Sequence, residues 1–408
     1  MSTTPAAAAR GAAAGRPRGR VASLLLDDHR YVFLGTSAIA LVGLVLANQP
    51  HPVSSFLALS YAVESVLYYV LVAWLVVSAV ALVNKLVRWR DYAATSPFVS
   101  PVARRVERIA SYVICAVVCV FFADRCVVGF LDLVAYATAS TSNPDDFWAS
   151  SIYMLYNMRG VYLSGIGTTI VLAVFGTIIA FFLALLLVFL RIQAIDRSDN
   201  DFVRFLKVVG SGFASVYSTV VRGTPMMVQS LIIYFGGIGL LQGTGMTVAQ
   251  TREVWSPFTA ALVTISLNST AYMMEVLRSG IGAVDFGQTE AARSLGLSQW
   301  QAMSRVVFPQ GVKNSIPALS NELIINLKDS SVLSAISVVD LMFATTTIAG
   351  AYYRQMQIYV VAMATYLVLT LVASKLLDML SHRLDAGGLG PVLGTSDALP
   401  ATPAAEEH

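Results

Sequence analysis

The sequence predicts an all-α membrane protein, a polytopic bundle of about eight transmembrane helices. Hydrophobic residues make up 56% of the 408 residues, charged residues only 12%, and the mean hydropathy is +0.68. This composition excludes an ordinary soluble globular domain. The clearest span is the stretch 168–190, because its 23 residues carry no charge and are long enough to cross a hydrocarbon core of about 30 Å.

Apolar runs separated by polar segments predict the other spans. We expect three in an N-terminal region, residues 31–145, and five in a core region, residues 163–380. The first run, residues 31–47, favours an uncleaved anchor over a cleaved signal peptide because it exceeds the usual length of a signal-peptide core. The tails at residues 1–30, which are basic, and 386–408 are rich in Ala, Pro and Gly and are predicted to be disordered.

Two charged residues, Asp124 and Arg125, interrupt the third predicted span. One arrangement makes them a neutralising pair inside the bundle, since ionisable side chains within a membrane are costly. The other makes them the outer end of the span, with residues 127–137 lying along the membrane interface. Both arrangements fit the sequence.

The positive charges indicate how the chain is oriented. Most of the 27 Lys and Arg residues fall in loops on one side of the predicted spans, whereas the opposite loops hold three, Arg159, Arg252 and Arg354. Cytoplasmic loops of membrane proteins carry an excess of Lys and Arg. The pattern therefore predicts that both termini and the loop 282–312 are cytoplasmic.

Within that loop, residues 285–309 form a stretch too polar to enter lipid, which we call the central loop. Asp285 is placed to cap a short helix that ends near Leu295. Gly296 follows where a helix end favours a residue that tolerates positive φ. The first half of the central loop is therefore predicted to be a helix closed by a glycine turn.

A second short helix is predicted in the rest of the central loop. Ser298 and Gln301 have the spacing of a capping box, and Pro309 is expected to end the helix. Because a loop between spans has no core of its own to order it, two capped helices in succession indicate a docking element for another protein.

Five residues of the central loop carry a family resemblance. Glu290, Ala291 and Ala292, then Gly296 after three intervening residues, then Pro309, resemble the EAA signature of the membrane subunits of ATP-binding cassette importers. The resemblance implies that these residues form the coupling helix and its surroundings, which fit a groove on a separate ATPase subunit.

Four ordered blocks narrow the resemblance to permeases for polar amino acids. The first block is Arg222-Gly223-Thr224-Pro225 with Val228-Gln229, and the second is Leu267-Asn268-Ser269 with Ala271-Tyr272, Glu275 and Arg278. The third is Gly287-Gln288-Thr289 before Glu290, and the fourth is Asn326 to Ser331. The likeness covers roughly residues 165–380. It implies the type I importer transmembrane fold, to which the first three spans add an extension without a counterpart in the minimal five-span permease.

The resemblance implies a multi-pass permease subunit of the bacterial plasma (inner) membrane, surrounded by lipid. It also implies three kinds of protein partner: ABC ATPase subunits, a second permease in a homodimer or heterodimer, and an extracytoplasmic amino-acid-binding protein. The chain contains no G-x-x-x-x-G-K-[ST] phosphate loop, so it is not expected to be an enzyme. ATP and Mg would be bound by the ATPase, and no metal or other cofactor is expected here. A net charge of +3 gives no indication of nucleic acid.

Polar residues recur on one face of the seventh predicted span at i, i+4, i+7 and i+8, namely Glu322, Asn326, Asp329 and Ser330. With Gln229 and Asn268 from neighbouring spans, they are hypothesised to line the translocation path and to meet the amino and carboxylate groups of the substrate. The alternative is that they only form hydrogen bonds between helices.

Lys328 lies off this polar face and requires a different partner. Glu275 is available in principle. It is equally suited to a local ion pair with Arg278, three residues further along the same helix.

The turn into the fifth predicted span contains three further candidates for a structural or gating role. Arg222 either anchors the turn at the lipid headgroups or gates the path. Thr224 is predicted to cap the helix, with Pro225 at its first position.

Two other functions agree less well with the sequence. A secondary transporter, or a permease for another small polar solute, is the main alternative, although no convincing internal repeat is visible and the central loop would have no use in such a transporter. A membrane enzyme is disfavoured because the four histidines lie near termini or in loops and form no metal-binding cluster. Charge composition does not identify the amino acid.

Overall fold

The computed structural model describes residues 30–87, 98, 100–193 and 199–386, and this part of the chain is helical without β-strands. The predicted all-α class is confirmed. The chain divides into two compact units that meet between Ala149 and Ser150. The predicted disordered tails lie outside the described residues, apart from their innermost positions.

The N-terminal unit consists of three long helical segments. Its elements are α1 (Arg30–Ala47), α2 (Tyr61–Val87), α3 (Pro101–Phe122), a π-helical turn (Ala123–Val128) and α4 (Gly129–Ala139). The last three form one continuous segment of 39 residues. Leu71 and Trp74 of α2 pack against Phe121 of α3, and Ala40 of α1 joins the same apolar cluster.

Asp124 and Arg125 lie in the π-helical turn, inside the continuous helix, and both are buried. Arg125 forms ion pairs with Asp124 and with Glu64 of α2, each at 2.5 Å. The buried pair proposed from the sequence is therefore observed, and Glu64 is an additional partner. The helix continues through the two charges, and whether they mark the outer end of the membrane span stays a prediction. Because buried charges need compensation, the three side chains fix how α2 meets this turn.

The second unit contains the remaining helices, and α5 (Phe147–Asn157) crosses the boundary between the units. The others are α6 (Arg159–Arg191), α7 (Asp201–Gly223), α8 (Met226–Gly243), α9 (Val248–Val254), α10 (Pro257–Gly282), α11 (Phe286–Ser294), α12 (Gln299–Ala302), a π-helical turn (Met303–Val307), α13 (Phe308–Asp329), a 3-10 helix (Ser330–Ile336), α14 (Leu341–Tyr352) and α15 (Gln355–Ala386).

Six helical segments of the described chain are long and apolar enough to cross a membrane, or seven if one bent pair counts as a single span. The bent pair joins Gln299–Ile336 to Leu341–Tyr352 at 54°. A shorter apolar helix covers Gly35–Ala47. A multi-pass membrane protein is confirmed, while the number eight stays a prediction.

Helix α10 is the centre of the second unit. It packs on α6 and on α13, and 67% of its apolar stretch is buried, against 6% of the apolar stretch of α8. Small residues allow the close approach, since a Cβ added at Gly176 of α6 would stand 2.5 Å from Ile265 of α10. Helix packing in a membrane depends on such close contacts because lipid supplies no hydrophobic drive between helices.

The predicted stop at Pro309 is wrong. The chain stays helical from Gln299 to Asp329, and Pro309 lies in the first turn of α13, directly after the π-helical turn. There the N–H of Phe308 donates to the carbonyl of Met303, five residues back. This wider turn accommodates a proline, which cannot donate and would clash with a regular helical carbonyl. A second proline, Pro317, lies inside α13.

The predicted cap at Thr224 is also wrong. Thr224 follows the last residue of α7, and its hydroxyl donates to the carbonyl of Val220. Pro225 occupies the capping position of α8 without a side-chain hydrogen bond. The amide of Gln229 instead donates to the Thr224 carbonyl and hydroxyl, so the turn is held from within α8.

Two glycines allow α10 and α13 to cross closely at their ends nearest the central loop. A Cβ added at Gly280 would lie 2.0 Å from the Ser315 hydroxyl and 2.7 Å from the Gly311 carbonyl. A Cβ added at Gly311 would meet the backbone of Ile281 at 2.6 Å. The backbones of the two helices are therefore in direct contact there.

We expect Gly280→Ala to destabilise the protein by about 1–3 kcal/mol, because the added methyl group has no space at the crossing. Thermal unfolding of the purified chain in detergent measures the effect. Gly282→Ala is the matched control, since nothing lies within 4 Å of its added Cβ. Equal melting temperatures for the two variants would contradict a close crossing.

Candidate functional site

The central loop folds as its capping residues predict. The Asp285 carboxylate accepts a hydrogen bond from the Gly287 N–H at the start of α11, and Gly296 adopts a φ of +87° after that helix ends. The reciprocal hydrogen bonds of the capping box between Ser298 and Gln301 are both present. These predictions are confirmed. A φ in this region favours glycine, because a side chain there is strained.

Aromatic stacking seats the central loop on the end of α6. The ring of Phe189 stacks on Phe308 with centroids 4.2 Å apart and lies 6.2 Å from Trp300. Across the glycine turn, Arg293 donates to the side-chain oxygen of Gln299 at 2.5 Å. The two halves of the central loop are thus fixed to each other and to a membrane-crossing helix.

The surface of the central loop combines charge with exposed apolar side chains. Glu290 and Ala291 face outward, whereas Ala292 is buried beneath them. Phe286 is 73% exposed and Leu295 is 86% exposed. Large apolar side chains this exposed on a polar loop are characteristic of a protein-binding surface.

A cluster of charges lies at the same end of the bundle, around Glu275 of α10. Arg191, the last residue of α6, forms a short ion pair with one Glu275 oxygen, and Arg278 donates to the other at 2.8 Å. Ser218 of α7 donates to Glu275 at 3.2 Å, and Arg222 stands 3.7 Å away. One carboxylate therefore ties the ends of three helices together.

Of the two partners proposed for Glu275, the structure shows the local one, Arg278. Lys328 is exposed near the end of α13 and belongs to no ion pair among the described residues. The pairing of Glu275 with Lys328 is therefore wrong. The physical reason is that Arg191 and Arg278 already occupy both carboxylate oxygens.

A pocket opens beside this charge cluster. Arg222, Tyr272, Glu275 and Glu322 line it, together with small and polar residues of α10 and α13. The Arg222 guanidinium lies over the Tyr272 ring, 5.5 Å from its centroid. No cation of the described chain lies within ion-pair distance of Glu322, which is mostly buried. The pocket thus presents one free carboxylate and one half-exposed guanidinium.

The other residues predicted for the translocation path do not line this pocket. The amide of Asn268 donates to the Gln229 carbonyl oxygen at 3.1 Å, which brings the predicted pair of α10 and α8 together. Asp329 is exposed at the end of α13, and Ser330, which follows it, is buried and donates to the carbonyl of Leu327.

Asn326 joins three helices. Its side-chain oxygen accepts from Ser269 of α10 at 2.7 Å, and its amide donates to Thr177 of α6 at 2.8 Å. The side chain is buried and both of its ends are satisfied. Asn326 therefore fits the alternative role of the polar face of the seventh span, namely hydrogen bonding between helices.

Sequence reasoning missed Arg191 as the main partner of Glu275 and missed Thr177 and Ser269 as partners of Asn326. A signal existed for Arg191, because it ends its apolar run at the membrane face where Glu275 was expected. No signal existed for Thr177, since a threonine in an apolar span is usually bonded to its own helix.

Comparison with known proteins identifies this architecture. The family model described as the binding-protein-dependent transport system inner membrane component matches residues 204–386. The nopaline transport system permease protein of Agrobacterium fabrum (strain C58) is 32% identical over 249 residues, which cover 60% of this chain and 95% of that protein. The chain belongs to the family of binding-protein-dependent transport permeases.

Other relatives of the permease are similar over comparable lengths. The arginine transport system permease protein of Bacillus subtilis is 35% identical, with 54% of this chain and 91% of that protein covered. The glutamine transport system permease protein of Escherichia coli K12 is 34% identical, with 43% and 76% covered. A crystal structure of an amino acid ABC transporter with histidines is 35% identical, with 59% of this chain and 99% of that chain covered and a TM-score of 0.48.

The family membership confirms the resemblance drawn from the central loop and the four blocks. The permease is a multi-pass inner membrane transport subunit of a class without a nucleotide-binding site of its own. The match to the family model includes the central loop, the pocket and the residues of the Glu275 cluster other than Arg191.

A double-mutant cycle tests the Glu275 cluster. We expect Arg191→Gln and Glu275→Gln each to destabilise the permease by about 1.5–3 kcal/mol, because each removes a charge-assisted hydrogen bond between partly buried side chains, while Arg278 remains beside Glu275 in the first variant. The double variant should be less destabilised than the sum of the two single variants, with a coupling of about 1 kcal/mol or more. Unfolding of the purified permease is the measurement.

Lys328→Gln is the control for this cycle. Its effect should add to that of Glu275→Gln within about 0.5 kcal/mol, as it does for residues that share no contact. Strong coupling between positions 275 and 328 would contradict the arrangement of charges described above.

Proposed function

We propose that the permease forms the translocation path of an ATP-driven importer for polar amino acids. The observation that carries this proposal is the central loop, an ordered, capped element with the EAA signature and exposed apolar side chains at one end of the bundle. The substrate class is supported by the relatives, which are named for nopaline, arginine and glutamine transport.

In this proposal ATP and Mg are bound by separate ATPase subunits, which receive the outward-facing side of the central loop. Glu290 and Ala291 would lie at the contact, with Phe286 and Leu295 as apolar anchors beside them. A second permease and an extracytoplasmic amino-acid-binding protein complete the assembly, and both termini are cytoplasmic. The distribution of Lys and Arg supports this orientation.

Affinity purification of the permease from its native membrane in mild detergent tests this assignment. We expect an ATPase subunit to accompany the natural chain and to be lost from a variant carrying Glu290→Lys and Gly296→Pro. The first change reverses a charge at the proposed contact, and the second imposes a φ near −65° where the turn needs +87°.

Ser294→Ala, an exposed position of the same helix, is the matched control and should retain the ATPase. If no ATPase accompanies even the natural chain, ATP-driven import is contradicted and a secondary transporter becomes the better assignment.

We further propose that substrate passes through the pocket lined by Arg222 and Glu322. A zwitterionic amino acid has groups complementary to both, since its amino group suits the unpaired Glu322 carboxylate and its carboxylate suits the Arg222 guanidinium. The Gln229 and Asn268 pair and the exposed Asp329 are proposed to continue the path. We assign Lys328, Thr224 and Pro225 structural roles at the ends of their helices.

Two substitutions in α13 separate transport from packing. We expect Glu322→Gln to lower ATP-dependent uptake about tenfold or more, since a charge-assisted hydrogen bond contributes about 1.5–3 kcal/mol. Asn326→Ala should instead lower stability by about 0.6–2 kcal/mol through its lost interhelical bonds. Uptake of labelled amino acids by proteoliposomes and thermal unfolding are the measurements.

Asn321→Ala, exposed on the same helix, is the control for both effects. Normal uptake by Glu322→Gln in a complex that retains its ATPase would contradict the proposed path without affecting the ATPase assignment.

A further inference from the structure

The N-terminal unit contains an ionic network outside the residues matched by the family model. It lies where residues 48–60, the loop between α1 and α2, fold onto the π-helical turn of the third segment. The network joins His51 and Ser55 of this loop to Glu64, Asp124 and Arg125. Nothing in the proposed transport function uses these residues.

Carboxylates on the third helical segment hold the loop in place. The Asp124 carboxylate accepts from the Ser55 hydroxyl at 2.8 Å and from the backbone N–H groups of Phe56 and Leu57 at 2.9 and 3.2 Å. Further along, Asp132 accepts from the N–H of Ser54 at 2.7 Å. Two side chains of one helix thus bind three backbone amides of the loop, and the position of the loop depends on them.

Arg125 links Asp124 to the rest of the network. Its guanidinium pairs with Asp124 through one nitrogen and with Glu64 through the other. The nitrogen that pairs with Asp124 also lies 2.8 Å from Nδ1 of His51. His51 is therefore in contact with the cation that orients the carboxylate holding the loop.

The surroundings of His51 assign its protonation state. A guanidinium can only donate, so Nδ1 must be the ring nitrogen without a hydrogen. Nε2 lies 3.4 Å from a Glu64 oxygen, which can only accept, and 3.5 Å from the second guanidinium nitrogen of Arg125, which donates to Glu64 at 2.5 Å instead. Nε2 therefore carries the hydrogen. The network is satisfied by a neutral imidazole in one tautomer, and a second proton on Nδ1 would point at the Arg125 guanidinium.

We propose that His51 is a pH-sensitive latch, which holds the 48–60 loop on the third helical segment when neutral and releases the loop when protonated. Histidine side chains commonly change charge between about pH 5 and pH 8. His51 is 42% exposed, so protons reach it, whereas Arg125 and Asp124 beneath it are buried. In the orientation proposed above, the loop faces the outside of the cell.

The charges around His51 determine what its protonation does. Arg125 opposes the second proton, whereas Glu64, and at longer range Asp124 and Asp132, attract the resulting imidazolium. The protonated ring loses its bond with Arg125 and competes with Arg125 for Glu64. Arg125 can then no longer bridge Glu64 and Asp124 in its present geometry, and the amides of Phe56 and Leu57 lose a fixed acceptor.

Hydrogen–deuterium exchange of the full-length permease in lipid nanodiscs tests the latch. Peptides covering residues 53–59 report the amides bound by Asp124 and Asp132. After correction for the intrinsic pH dependence of exchange, we expect their protection in the natural chain to fall about tenfold between about pH 7.5 and pH 5.5. Peptides of the central loop, which contains no histidine, should keep their corrected protection.

Two substitutions assign the effect to His51. In His51→Gln the protection of residues 53–59 should not change with pH, whatever its level, because this side chain does not titrate. His382→Gln, which removes a histidine at the end of α15, should behave as the natural chain. The proposal is overturned if protection in the natural chain is the same at both pH values, or if His51→Gln shows the same fall.

Discussion

The backbone contact between α10 and α13 at Gly280 and Gly311 is the constraint on which the rest of the core unit depends. These two helices enter and leave the central loop, so their separation at this point sets the span that the loop must bridge. Any side chain at either glycine would push the helices apart. The ordered structure of the central loop therefore depends first on these two glycines, which hold the adjoining ends of α10 and α13 together. The capping hydrogen bonds of α11 and α12 then order the residues between those ends.

The Glu275 cluster adds a second restraint of a different kind beside this crossing. It binds α6, α7 and α10 through directional ion pairs, whereas the glycine crossing binds α10 and α13 through close packing alone. The pocket lies between the two restraints and is lined by a residue of each, Glu275 and Gly280. A change in the spacing of these helices would alter the pocket and the seat of the central loop together.

Local signals were sufficient for the central loop and insufficient for what surrounds it. Asp285, Gly296 and the Ser298–Gln301 pair act within a few residues of themselves, so their roles were visible in the sequence. Pro309 follows a π-helical turn and Phe308, and the ring on which Phe308 stacks, Phe189, is distant in the chain. Asn326 has the same polarity whether it faces a path or another helix, and only the positions of Thr177 and Ser269 decide between the two. The family motifs identified the class of protein, although the sequence does not show which distant residues are in contact.

The two prolines of α13 have a consequence for how movement passes along that helix. Neither Pro309 nor Pro317 can donate a backbone hydrogen bond, so the helical ladder has two missing rungs about 12 Å apart at about 1.5 Å per residue. A rod weakened at two points bends at each of them sooner than it slides as a whole. A displacement of the central loop would therefore reach the far half of α13 as a change of tilt, with the segment between the prolines acting as a short articulated link.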